Sequence, residues 1–320
     1  MLCRSSSLHE RAYGDGQGCS NPGVARVPRP RGDDRKTAEL LAKAAAEGAR
    51  LAVLPEGFVP GYPDWVWRAT PWDDHHWFAR WQEQAVVVPG PDVERLGKAA
   101  RAAGIYAAVG VNEREPEGST IYNTILYFGP DGRLLGKHRK LMPTGGERLV
   151  WGYGDGSTLT VIDTPFGRVG GLICWENYMP LARAAMYAKG IDIWVAPTWD
   201  NSDTWVSTLR HIAKEGRQYV IGVAPFMRGS DVPDTIKGRD QMYEGDDDWL
   251  SKGNATIVDP EGDIVAGPLI GSEGIVYADV DVAFARASRR KFDPTGHYSR
   301  PDVFRLTVDT RATSPVVFEE

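Results

Sequence analysis

Arg168-Val169-Gly170-Gly171-Leu172-Ile173-Cys174-Trp175-Glu176-Asn177 is the stretch from which the fold is read. Val169, Leu172 and Ile173 form a short apolar run after the turn at Pro165 to Gly167, as expected of a buried strand. A helix should start soon after Cys174. Pro180 suits a first helical turn, where its missing N–H costs nothing; Leu181, Ala184, Ala185 and Ala188 supply an apolar face, and Gly190 a C-cap. A cysteine at a strand-to-helix junction sits on a tight turn at the end of a sheet, near backbone N–H groups that favour negative charge. That suits a thiolate nucleophile. Read alone, Cys174 could equally be buried and inert.

Outward from this stretch, strands and helices alternate. A helix is expected from Asp33-Asp34 to Gly48, with Leu40, Leu41, Ala44 and Ala45 inward, and a buried strand from Leu51 to Leu54 that runs into Pro55-Glu56-Gly57. Residues 58–72 are an aromatic loop, followed by a helix with Trp77 and Trp81 on one face. Another helix runs from Pro91 to Gly104. Strands follow at Ile105 to Val111 and Ile121 to Phe128, the second turning at Gly129-Pro130-Asp131-Gly132 into a hairpin with Arg133 to Gly136. A near-copy of that hairpin lies at Ala255 to Ala266. Further strands are expected at Leu159 to Ile162, Ile191 to Ala196, Tyr219 to Ala224 and Ile275 to Val280, with a helix over Ser202 to Gly216 and an exposed polar insertion at 228–248. Strands that alternate with helices and also form hairpins predict mixed sheets covered by helices, an α/β layered domain without a dividing linker.

Composition sets limits. The 320 residues are 42% hydrophobic and 25% charged, enough for a sizeable core. A net charge of −6 gives no electrostatic reason for a nucleic-acid or anionic-membrane partner, and no apolar run approaches a membrane span. Cys3, Cys19 and Cys174 make no disulfide framework, and the N-terminal residues lack the apolar core of a secretory signal, so a cytoplasmic setting is expected. The six histidines show no HExxH spacing, there is no CxxC, and Gly152 to Gly156 precedes a strand instead of opening a helix. No cofactor or metal is expected.

Glu56, Lys140 and Cys174 each follow an apolar strand, where α/β folds place their sites. Taken singly, Glu56 reads as a loop carboxylate and Lys140 as one lysine in a basic run. Together with their neighbours they resemble the nitrilase branch of the carbon–nitrogen hydrolase superfamily. The resemblance rests on Leu54-Pro55-Glu56, Pro60-Gly61-Tyr62-Pro63, His138 to Thr144, Glu147-Arg148 and Cys174-Trp175-Glu176-Asn177, and covers about residues 35–305. It implies a four-layer α-β-β-α sandwich of mixed sheets over 33–305, with 306–320 as a C-terminal tail. It implies Cys174 as nucleophile, Glu56 as general base, Lys140 as cationic stabiliser and Glu147 as a second glutamate beside the lysine. Tyr62, Trp175 and Trp199 are candidate pocket residues, and Trp65 and Trp67 of the aromatic loop also lean toward an aromatic or arylaliphatic substrate. The implied reaction is cofactor-free hydrolysis of a small-molecule nitrile to an acid and ammonia, by a homodimer that extends into spirals. An amidase, carbamoylase or cyanide-degrading member, or a weakly active assembly protein, are the alternatives.

Residues 1–32 depart from this pattern. Where the family carries an apolar strand inside a sheet, Ser20 to Arg31 is rich in Pro and Arg, and only Val24 to Val27 could imitate one. The abrupt change suggests a shifted frame or a misplaced start, or else an ordinary tail with a variant strand.

Overall fold

The computed structural model describes residues 2–5, 32–233, 238–243, 249–314 and 316. In chain order the elements are β1 (Leu2–Ser5), α1 (Gly32–Ala46), β2 (Leu51–Val53), α2 (His75–Gln84), β3 (Val86–Val87), α3 (Pro91–Ala103), β4 (Tyr106–Arg114), β5 (Ile121–Phe128), β6 (Leu134–Arg139), β7 (Val161–Thr164), β8 (Gly167–Gly171), α4 (Pro180–Tyr187), β9 (Ile193–Pro197), α5 (Asp203–Gly216), β10 (Tyr219–Arg228), α6 (Arg239–Met242), β11 (Trp249–Val258), β12 (Ile264–Leu269), β13 (Tyr277–Val280) and α7 (Val282–Ser288). Among the described residues they form two mixed sheets. The first runs β13-β1-β2-β4-β5-β6 with β3 beside β4, and the second runs β12-β11-β10-β9-β8-β7.

Side-chain alternation builds the layers, because neighbouring residues of a strand point to opposite faces. Leu51, Val53, Ala108, Ile125 and Tyr127 of the first sheet meet Val169, Ile193, Val195, Ile221 and Ile257 of the second in one buried core. Their neighbours Ala52, Ala107, Val109 and Leu126 face outward, onto Leu41 and Ala44 of α1 and Leu96 and Ala100 of α3. On the far side Trp194, Ala196, Val220 and Val258 face Met186 of α4 and Leu209, Ile212 and Ala213 of α5. The order is therefore helix, sheet, sheet, helix, the expected α-β-β-α sandwich. Each fully buried aliphatic side chain stabilises it by about 1.5–3 kcal/mol.

Both expected hairpins pair: Tyr127 with Gly136, and Ile257 with Ala266. Some elements differ from expectation. The strand expected at Leu159 to Ile162 begins at Val161, because residues 156–158 form a short 3-10 turn capped by the Asp155 carboxylate. The helix after Cys174 ends at Tyr187, three residues before Gly190. The 228–248 segment is not simply an exposed insertion: Val232 and Tyr243 are buried against Trp77 and Trp81, while 234–237 and 244–248 lie outside the described residues. The place between β2 and β13 is taken by β1, parallel to β13 and antiparallel to β2. Leu2-Cys3-Arg4-Ser5 is too short to show periodicity in the sequence, and Val24 to Val27 lies outside the described residues. No helix among the described residues is long and apolar enough to cross a membrane.

Candidate active site

The residues expected to act together come from both sheets. Glu56 follows β2 and Lys140 follows β6 in the first sheet, while Cys174 follows β8 in the second. Close backbone approach sets these positions. A Cβ at Gly171 would lie 1.9 Å from the Val195 carbonyl oxygen, and one at Gly110 would lie 2.0 Å from that of Pro55. Glycine at both points lets β8 press on β9 and lets the turn carrying Glu56 press on β4. Cys174 itself has φ 52°, a left-handed conformation that costs a non-glycine residue energy and recurs at functional sites. It opens a 3-10 turn, Cys174–Tyr178, before α4.

Lys140 lies wholly buried, with Nζ donating to Glu56 Oε1 at 2.8 Å and to Glu147 Oε2 at 2.6 Å. Asn123 Nδ2 donates to Glu56 Oε1 at 2.7 Å, and Glu56 Oε2 is buried without a hydrogen-bond partner. Glu147 is fully engaged: Tyr62 donates to Oε1 at 2.8 Å and the Thr144 N–H to Oε2 at 2.7 Å. Burial pushes the Glu56 carboxyl up to about 7, against the attraction of Lys140. Burial also disfavours the Lys140 ammonium, but Glu56, Cys174 and Glu147 together hold its pKa above the ordinary lysine value. Burial, then the Glu56 charge, raises the Cys174 thiol, and Lys140 opposes them. A thiol of this kind needs a base to ionise it, and Glu56 Oε2 is a carboxylate oxygen free to accept the proton.

A second buried charge cluster joins the sheets. Glu176 Oε1 accepts from the Leu141 N–H at 2.6 Å, and Oε2 from the Ile173 N–H at 2.8 Å. His138 lies with Nε2 3.0 Å from Glu176 Oε2 and Nδ1 3.0 Å from the Thr158 carbonyl oxygen. Both ring nitrogens of His138 face oxygen acceptors, an arrangement that favours the imidazolium. Burial opposes that charge, but the Glu176 carboxylate prevails and raises its pKa. One carboxylate thus ties the residue after Lys140 to the residue before Cys174.

Tyr62, Trp67, Glu147, Cys174, Trp175 and Trp199 line an open cavity of about 380 Å³. Tyr62 stacks on Trp199 at 4.1 Å between ring centroids, and Trp67 Nε1 donates to the Tyr62 hydroxyl at 3.1 Å. Glu56 and Lys140 are not among the lining residues.

Residues 32–290 match the model of the family described as carbon-nitrogen hydrolase. This chain belongs to the carbon-nitrogen hydrolase family. It is 48% identical over 288 residues to a protein named aliphatic nitrilase from Sinorhizobium fredii, covering 88% of this chain and 92% of that one. It is 42% identical over 295 residues to a protein named bifunctional nitrilase/nitrile hydratase from Lupinus angustifolius, covering 88% and 83%. Among solved structures it resembles the carbon-nitrogen hydrolase of Helicobacter pylori, with a TM-score of 0.67 at 21% identity over 87% of this chain and 94% of that one, a likeness of fold.

In this carbon-nitrogen hydrolase the three expected pocket residues, Tyr62, Trp175 and Trp199, lie together on the cavity wall, and Trp67 joins them. Trp65 does not. It is buried against Trp77 and Trp81, at 5.9 and 5.5 Å between centroids, so its ring packs the interior. Sequence reasoning did not single out Asn123 and Thr198 for the site. Asn123 carried a signal, as a polar residue inside the apolar strand Ile121 to Phe128. Thr198 stands at the end of β9, which lies parallel to β8, so its closeness to Cys174 depends on a pairing that is not local in sequence.

Proposed function

We propose that this chain hydrolyses nitriles to a carboxylic acid and ammonia through a covalent adduct on Cys174. Lys140 held between Glu56 and Glu147 beside a buried thiol carries this reading, in a chain 48% identical to a protein named aliphatic nitrilase. The Cys174 S–H bond breaks as its proton passes to Glu56 Oε2, and the sulfur attacks the nitrile carbon. The nitrile nitrogen takes that proton back from Glu56, leaving a thioimidate and a Glu56 carboxylate, with Lys140 stabilising the charge that develops on nitrogen. Glu56 then takes a proton from water as it adds to the same carbon. Glu56 passes that proton to nitrogen, the hydroxyl of the adduct gives up its own as the C–N bond breaks, ammonia departs with both, and a thioester remains. A second water releases the acid and restores the thiol. Glu147, fully engaged by Tyr62, Thr144 and Lys140, positions the lysine.

The aromatic walls favour an aromatic or arylaliphatic nitrile, whereas the Sinorhizobium fredii relative is named for aliphatic ones. A panel of aliphatic nitriles, benzonitrile, phenylacetonitrile and the matching amides tests the reading, with ammonia, acid and amide all quantified. Nitriles should turn over faster than amides. Hydrolysis of amides alone would establish the amidase alternative.

We further infer a cytoplasmic homodimer that extends into larger assemblies. Trp175, Tyr178 and Leu181 before and on α4, and Phe304 and Leu306 in the tail, are exposed apolar groups that a second copy would cover. Light scattering at micromolar concentration should give at least twice the chain mass of 35.2 kDa; a monomer would refute it.

A further inference from the structure

Thr198 is wholly buried at the end of β9, beside the strand that carries Cys174. Its Oγ1 lies 3.1 Å from Cys174 Sγ. The same oxygen accepts from the Asp200 N–H at 2.9 Å, and the Thr198 N–H is held by the Val223 carbonyl at 2.9 Å. These bonds fix the hydroxyl. One lone pair of Oγ1 faces Asp200, so the hydroxyl hydrogen is free to point at sulfur. While Cys174 is a thiol, either group can donate. Once it is a thiolate, only Thr198 can.

We propose that Thr198 is a catalytic residue whose hydroxyl donates to the Cys174 sulfur and stabilises the thiolate that attacks the substrate carbon. This rests on Cys174 being the nucleophile. The step balances without a further reactant: the S–H bond breaks, its proton goes to Glu56 Oε2, the electron pair stays on sulfur, and the Thr198 O–H bond remains intact. The need follows from the surroundings. Before the proton moves, Glu56 and Glu147 both act on the sulfur as carboxylates; once Glu56 has taken it, Glu147 still does, and Tyr62 faces the sulfur as a neutral phenol, leaving Lys140 as the cation opposing them. That lysine is shared between two carboxylates at 2.8 and 2.6 Å. A donor aimed at sulfur from the neighbouring strand of its own sheet adds stabilisation without competing for those carboxylates, and hydrogen bonds to a charged partner are the stronger kind.

The hydroxyl also links the nucleophile to the pocket wall. The loop after Thr198 carries Trp199, stacked on Tyr62, and Asp200, whose carboxylate accepts from Trp175 Nε1 at 2.9 Å and from the Ser202 N–H at 2.9 Å. The aromatic wall that receives substrate is therefore continuous with the backbone N–H that orients the Thr198 hydroxyl.

The test compares Thr198→Val, Thr198→Ala and Thr198→Ser in the full chain. Two readouts are used: carboxamidomethylation of Cys174 by iodoacetamide across pH, followed by mass spectrometry, and kcat/KM for the best nitrile of the panel. A thiolate that loses one charge-assisted donor should titrate about 1 to 2 pH units higher. Because a more basic thiolate is also a better nucleophile, alkylation below that midpoint should slow by only about 3- to 10-fold. Both Val and Ala should show this, with kcat/KM down by about 10-fold or more. Ser, which keeps the hydroxyl, should recover most of both. Val and Ala at the wild-type rate in both readouts would overturn the proposal. So would Ser falling as far as Val, since that would assign the effect to the lost methyl. Alkylation does not depend on nitrile turnover, so an active Cys174→Ala enzyme would sink the nucleophile reading by itself, and an unshifted Thr198→Val titration only this one.

Discussion

Cys174→Ala should lower nitrile turnover by at least about 10⁴-fold, because removing the nucleophile of a covalent mechanism removes the whole pathway that the other groups serve. The fold should survive. The substitution deletes one sulfur from a site whose backbone is held independently: Asn177 Nδ2 donates to the Cys174 carbonyl at 2.8 Å, and Glu176 holds Ile173. Turnover and the denaturation midpoint, measured on the same preparation, separate lost chemistry from lost structure. Replacing Cys3 or Cys19 should leave the rate unchanged. Mass spectrometry of the wild-type enzyme quenched during turnover should place a substrate-derived adduct on the peptide containing Cys174. A folded Cys174→Ala protein that keeps substantial activity would refute the mechanism.

Glu56→Gln should reduce kcat/KM by about 10²- to 10⁴-fold and abolish the acid limb of its pH profile. Glu56 accepts a proton only as the carboxylate. With its pKa raised by burial to about 7, that form is lost as pH falls through about 7, where an ordinary glutamate would keep it down to about 4.5. The wild-type acid limb should therefore lie near pH 7. Lys140→Ala should cost a comparable factor in rate, and it leaves two carboxylates facing each other in a buried site, a loss of about 3–5 kcal/mol in stability. The assay must therefore be run where denaturation curves show the variant folded. Because Lys140 bonds to Glu56 directly, the two act as one unit, and the double variant should lose little more than the worse single one. Losses that multiply would show that one of the two only packs. An acid limb near 4.5 would show that Glu56 is not the proton acceptor.

The layer order could be read from the sequence because the signals behind it are local. Leu51 to Leu54 and Val169 to Ile173 are short apolar runs between turns, and Trp77 with Trp81 marks one helix face through i, i+4 spacing. Glu56, Lys140 and Cys174 stand at or just beyond the ends of strands, but it was the family resemblance of their short motifs that grouped them and added Glu147. Boundaries were less legible where tertiary contacts compete with local preference. The strand expected to reach Ile173 stops at Gly171 so that Cys174 can enter its left-handed turn, and the polar 228–248 segment buries Val232 and Tyr243 because Trp77 and Trp81 offer them an apolar surface.

What the chain decides only after folding is the meeting of its two sheets. Lys140 and Glu56 come from one and Cys174 and Thr198 from the other, and no periodicity in the sequence measures the distance between them. The sulfur's hydroxyl partner, the free Oε2 of Glu56, the Glu176 tie between the lysine-bearing and cysteine-bearing segments, and the removal of Trp65 from the pocket all depend on side chains far apart in sequence. Residue type and spacing set which chemistry the chain could carry. The packing of one sheet on the other decides which atoms face the reacting carbon, because hydrogen bonds and charges act over a few ångströms of space, whatever their separation along the backbone.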